Sequence, residues 1–219
     1  LALFGWRAGA VGLAGSFDRF SRESLLLANN VLLAVACGAV MLGTLYPLAL
    51  DALGLGKISV GPPYFDAVFA PLMVPLVLLM AVGPLARWKA ASLGDVARAL
   101  RWPALASVAA ALLLPLAAGR FSLGAAFGLF LAAWVFTAMA TLLLQQARHG
   151  LAPLVRAPAS FWGMVVAHLG VAVFIVGVTM VRTYETQQDV KMQLGDHVVA
   201  SGWRFTLDSL NEAPGPNYV

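Results

Sequence analysis

One cysteine, Cys37, and three histidines are all that the 219 residues offer to thiol or soft-metal chemistry. A lone thiol excludes an internal disulfide and a thiolate metal pair, and its place within a long apolar run makes it a lipid-facing or packing residue. Charge is equally scarce. Asp, Glu, Lys and Arg make up 11% of the chain, where a soluble domain carries about 25%. The apolar runs hold no paired carboxylates, no Ser-His-Asp set and no glycine-rich phosphate loop, so hydrolytic, nucleotide-driven and proton-pumping mechanisms lack their parts. The basic residues form no cluster interleaved with aromatics, which excludes a nucleic-acid partner in spite of the net charge of +4.

What is abundant is apolar: 61% of the residues, against about 45–50% in a soluble domain. These residues are gathered into nearly uncharged runs of about 20, the length a helix needs to cross about 30 Å of hydrocarbon. The fold class that follows is an α-helical polytopic membrane protein with about five transmembrane helices and part of a periplasmic β-rich domain. The spans are expected over residues 26–50, 68–86, 102–118, 123–144 and 161–181, within a bundle covering 25–181. Residues 1–24, with Arg7, Asp18, Arg19, Arg22 and Glu23 among small apolar side chains, read as a cytoplasmic or interfacial segment. Ser21 and Ser24 then mark a helix start.

Between the first two spans, residues 51–67 are rich in Gly and Pro, and a helix is not expected to continue through Pro62 and Pro63. The second span contains Pro71, Pro75 and Pro84, which free carbonyls that lipid cannot satisfy, so it is expected to be kinked or buried in the bundle. Residues 182–219 turn polar. Val190, Met192 and Leu194 alternate with polar residues, as do Trp203, Phe205 and Leu207, a period of two that reads as a β-meander. Two or three strands rarely stand alone, so further sequence is expected to complete a small β-domain. The start at Leu1 without a methionine or charged leader likewise suggests an internal segment of a longer chain.

Nine of the fourteen Lys and Arg residues fall in alternate loops on one side: Arg7, Arg19, Arg22, Arg87, Lys89, Arg98, Arg101, Arg148 and Arg156. The other side holds Lys57, Arg120, Arg182, Lys191 and Arg204. The positive-inside rule assigns the first set to the cytoplasm and the 51–67 loop and tail to the periplasm or an equivalent compartment.

Apart from Cys37, essentially one ionisable side chain lies within the spans: His168, in FWGMVVAHLGVAVFIVG. At that depth an imidazole faces a partner, a cavity or a cofactor. Two readings stand side by side. It hydrogen-bonds a neighbouring helix, or it is an axial ligand to haem, with Gly163 and Gly170 leaving room for a flat macrocycle. His149, after Arg148, reads as a solvated loop residue, and the His197–Asp196 pair lacks the further ligands a metal needs. In the 57–65 stretch, Tyr64 and Phe65 form either an external aromatic ledge for a partner or haem, or a shaped turn between helices.

The strings SRESLLLANN, GTLYPL, GKISVGPPYF, AHLGVAVFIVGV and GPNY, in this order from Ser21 to Tyr218, resemble the CcmF family, the large membrane subunit of the bacterial cytochrome c maturation haem lyase (System I). The resemblance implies a multi-pass protein of the bacterial inner membrane that takes haem from a haem-carrier chaperone and helps attach it to the Cys-x-x-Cys-His motif of apocytochrome c. It also implies thioredoxin-like, apocytochrome-docking partner subunits and a b-type haem held by two histidines in the membrane, with His168 in the position of the second. No residue is implied as catalytic. The family's tryptophan-rich haem-binding segment has no counterpart here, since Trp6, Trp88, Trp102, Trp134, Trp162 and Trp203 are scattered. The segment alone is therefore not expected to be an active lyase. An alternative of another class is a secondary transporter or channel, suggested by the Pro- and Gly-broken helices, and a third is a scaffold that docks subunits through the 51–67 loop and the tail.

Overall fold

The computed structural model describes residues 18–148, 150 and 152–211, together with Trp6. Most of residues 1–24, His149 and the GPNY string lie outside the described residues. The chain divides into two compact units, Leu1–Thr179 and Met180–Val219.

Five long helices dominate: α1 (Arg22–Ala52), α2 (Pro62–Val82), α3 (Leu93–Ala117), α4 (Leu123–Ala147) and α6 (Ala159–Tyr184), with a four-residue turn of helix, α5 (Ala152–Val155). A single 3₁₀ turn, Gly83–Leu85, extends α2. Each long helix is apolar enough, at 21 residues or more, to cross a membrane. Together they make the described chain a multi-pass helical membrane protein.

The helices begin earlier than the run of apolar residues suggests. The first two positions of α2 are Pro62 and Pro63, behind Gly61 as N-cap. Proline is harmless there, because the N–H groups of a first turn have no helical acceptor to lose, so the prolines start the helix rather than prevent it. Likewise α3 starts at Leu93 and carries Asp95, Arg98 and Arg101 on its first turns, which had been expected in a loop. The loops shrink to residues 53–61 and 86–92.

At the head of α1, Ser21 is buried and forms a complete capping box with Ser24. The Ser24 N–H donates to Ser21 Oγ at 3.2 Å and the Ser21 N–H donates to Ser24 Oγ at 2.9 Å. Backbone hydrogen bonds then tie this entry segment to the α2–α3 loop. Asp18 N–H donates to the Lys89 carbonyl at 2.8 Å, Arg22 N–H to that of Arg87 at 2.9 Å, and Ala91 N–H to that of Phe20 at 2.9 Å. Two of the basic segments assigned to one side of the membrane are thus joined directly.

Among the helices, α3 and α4 pack most extensively, and α2 lies against both α1 and α4. Ala81, Val96, Leu100, Ala138 and Met139 form one buried cluster, with Leu169 of α6 against it. Val77, Leu131, Val135 and Ala172 form a second. A polar seam runs through the α3–α4 contact, where buried Ser107 donates to the Pro103 carbonyl at 2.6 Å and meets Thr137 at 3.4 Å. Close approach is obtained with glycine: a Cβ on Gly128 of α4 would collide with the Thr179 side chain of α6. The proline-bearing α2 is less enclosed than α4, with 17% of its apolar window buried against 33%. Its carbonyl at Leu78 accepts from the Trp134 indole at 3.1 Å.

In the second unit, β1 (His197–Ala200) and β2 (Trp203–Thr206) pair antiparallel, Ala200 opposite Trp203. The expected strand over 190–194 does not form. The turn decides this: Ser201 and Gly202, with φ of 51° and 83°, make a two-residue hairpin loop that fixes HVVA as the partner of WRFT.

Candidate functional site

His168 sits in the first half of α6, on the stripe that also carries Val165, Leu169 and Ala172 into the bundle. It is half-buried, and its Nδ1 is 2.8 Å from the Met164 carbonyl one turn back. A carbonyl only accepts, so Nδ1 is the nitrogen that donates here, and in the neutral ring the lone pair is then on Nε2. This is the tautomer that a metal-bound imidazole uses, with its second nitrogen held by a carbonyl.

The ring lines a cleft of about 260 Å³ between α1, α2 and α6. Its walls are apolar, Leu25, Leu33, Leu76 and Leu79 with Met80 and Met164. Two other polar side chains reach it, Arg22 and Asn29 of α1. The Arg22 guanidinium stacks over Trp88, 4.8 Å from the ring centroid, which holds a cation at the mouth of the cleft. The cleft brings together a neutral nitrogen ligand, a fixed cation and an apolar lining. That donor set fits a flat, apolar, carboxylate-bearing prosthetic group such as haem: an imidazole for iron, an arginine for a carboxylate and leucines for the macrocycle.

Neither Arg22 nor Asn29 is picked out by reading the sequence for ligands. Arg22 counts there only toward loop charge. The adjacent amides of Asn29 and Asn30 in LLLANNVLL are a visible signal, a polar pair at the start of an apolar span.

Tyr64 and Phe65 are placed elsewhere. Both fall in the first turn of α2, half-buried, and Tyr64 turns inward to α1, donating its hydroxyl to the Ala39 carbonyl at 2.9 Å. A Cβ on Gly43 would lie 2.5 Å from the Tyr64 ring. The two rings meet edge to face at 5.2 Å, so what forms here is a helix contact and not an exposed ledge. His197 is exposed at the start of β1, while Asp196 accepts from the Gln193 backbone at 2.8 Å. No group of three or more His, Cys, Asp or Glu residues suited to a metal ion occurs among the described residues. Cys37 is exposed on α1.

No family model matches the chain. It is similar to the cytochrome c-type biogenesis protein CcmF of Pseudomonas aeruginosa, 43% identical over 229 residues, which cover 100% of this chain and 34% of that protein. The protein of the same name from Escherichia coli K12 is 41% identical over 219 residues, 100% of this chain and 33% of that one. A solved structure described as cytochrome c heme lyase CcmF superposes with a TM-score of 0.58 at 33% identity, covering 76% of this chain and 26% of that chain. The chain spans about a third of the length of the curated relatives it matches.

Proposed function

The chain belongs to the CcmF family of cytochrome c-type biogenesis proteins, and from that premise we propose that it is the haem-handling segment of a cytochrome c maturation haem lyase. In this reading the whole protein helps attach haem to the two thiols of an apocytochrome c Cys-x-x-Cys-His motif, and this segment holds one side of a buried haem b. The observation that carries the proposal is His168, which lines an apolar cleft with its Nδ1 engaged by the Met164 carbonyl.

When bound there, haem b supplies a reversible one-electron couple, which suits a reaction that needs reduced iron and reduced thiols. The chain's own residues do the rest. The Met164 carbonyl fixes the ring and tautomer of His168, so that the ligand nitrogen is preorganised. Arg22, braced on Trp88, offers its guanidinium to a carboxylate, and the leucines of α1 and α2 keep water from the ligand. A further ligand to the iron would be supplied by the remainder of the protein.

The positive-inside bias supports a reading in which the basic helix ends face the bacterial cytoplasm and loop 53–61 and the polar tail face the periplasm. The His168 cleft, beside Arg22 and Pro84, then lies toward the cytoplasmic end of the bundle. Thiol attachment takes place on the opposite face, with a thioredoxin-like subunit, the haem-carrier chaperone and apocytochrome c. That separation assigns this haem a redox role, distinct from the haem being transferred.

The test uses full-length protein purified with His168→Ala or His168→Gln. Both variants are expected to lose most of the b-haem absorbance in the reduced Soret and α bands per mole of protein, at unchanged elution volume. Wild-type haem content in the two variants would remove His168 as a ligand.

A further inference from the structure

A second cleft, of about 370 Å³, opens between the start of α3 and the end of α4, and the proposed function makes no use of it. Its rim is cationic: Arg98 and Arg101 on the first turns of α3, and Arg148 just past the end of α4, with the amide of Gln145 beside them. The lining continues with Trp102, next to Arg101 and one turn beyond Arg98, and with Leu144 and Thr141, one and two turns back along α4 from Arg148. Trp102 and Leu144 are 65% and 63% exposed, so the apolar half is open to the surroundings of the bundle.

The charges here are only partly compensated within the described residues. Arg98 is paired with Asp95 one turn back. Arg101 lies over the Trp102 ring, 5.4 Å from its centroid, and among the described residues no carboxylate pairs with Arg101 or Arg148. Three guanidiniums at the adjoining ends of α3 and α4 with one carboxylate leave an excess of two positive charges. Guanidinium forks match phosphate oxygens in pairs, and a tryptophan at this level of a spanning helix is an interfacial anchor.

We propose that this cleft binds the headgroup phosphate of an anionic phospholipid, with the acyl chains running down the Trp102–Leu144 wall. Free phosphate shares the headgroup chemistry, but it would leave the apolar half of the cleft unused. The arginines stand where a lipid phosphate sits, and the wall begins where its chains begin. Basic pockets between helices on the cytoplasmic side take up anionic lipid in this way, and the charge bias assigns this end of the bundle to that side. The proposal rests on α3 and α4 alone and is independent of haem at His168.

The experiment is native mass spectrometry of the full-length protein in non-ionic detergent, titrated separately with phosphatidylglycerol and phosphatidylcholine. Wild type is expected to retain phosphatidylglycerol about tenfold better than phosphatidylcholine. The Arg101→Gln/Arg148→Gln variant, of unchanged elution volume and b-haem content, should retain the two lipids equally, and Arg101→Lys/Arg148→Lys should recover a preference. Three outcomes would overturn the proposal: no headgroup preference in wild type, an undiminished preference in the glutamine variant, or displacement of the lipid by excess inorganic phosphate.

Discussion

Gly43 marks a point at which α1 and α2 come into close contact, with the Tyr64 ring filling the space a side chain would need. The ring is held from its other end, since its hydroxyl donates to Ala39, so it cannot swing away without losing that bond. Gly43→Ala is therefore expected to destabilise the bundle by about 1–3 kcal/mol, the cost of overpacking a filled contact. Thermal unfolding in detergent checks this, and Gly43→Ala combined with Tyr64→Ala should recover part of the loss relative to the sum of the single changes. At this scale the candidate site was half legible. His168 stands out because an imidazole inside an apolar run is costly without a role, whereas Arg22 and Asn29 look like ordinary helix-start residues until α1 folds beside α6. Tyr64 misled for the opposite reason: adjacency to two prolines suggests a loop, and only the helix register reveals that the ring points at α1.

Helix starts depend on groups that composition alone ranks poorly. Ser21 and Ser24 look weaker than the usual Ser-to-Glu box, yet each satisfies a backbone N–H of the other, and Ser21 does so while fully buried. Replacing it by alanine leaves the Ser24 N–H without its acceptor inside the protein. Ser21→Ala should cost about 1–2 kcal/mol, seen as a lower unfolding temperature and faster amide exchange over the first turn of α1. The effect should extend to haem content if the reading of the cleft holds, because Arg22 and Leu25 follow the cap directly. The five spans themselves were readable from runs of apolar residues, a signal that survives any detail of packing. The cap of α1 at Ser21 and the start of α4 at Leu123 were readable as well, but the starts of α2 and α3 were not, since the proline start of α2 and the polar first turns of α3 are helical for reasons of unpaired N–H groups. The alternation around 203–207 was borne out by WRFT and that over 190–194 was not, because the Ser201–Gly202 turn pairs WRFT with HVVA.

For the whole molecule the question is which end of the bundle faces which compartment, and charge and geometry bear on it independently. Hydrogen bonds join residues 18–22 to 87–91, and Arg98, Arg101 and Arg148 line one cleft, so the basic segments gather at one end whatever the membrane does. Lys57, with its side chain 86% exposed, lies in the loop at the opposite end of α1 and α2. By the positive-inside rule, the orientation proposed for this end is toward the cytoplasm. A cysteine at Lys57 in full-length protein otherwise free of cysteine should react with a membrane-impermeant maleimide on intact spheroplasts. A cysteine at Ala90, exposed in the α2–α3 loop, should react only after the membrane is permeabilised. Arg204→Cys on β2 should follow Lys57, because α6 is the fifth crossing and an odd number of crossings carries the chain to the far side. Labelling of positions 57 and 90 from the same side would break the topology, and with it the proposed separation of the His168 cleft from the face proposed for thiol attachment. If 57 and 90 label from opposite faces but 204 groups with 90, only the last crossing fails, and the hairpin would have to be moved to the cytoplasm while the cleft stays where it is.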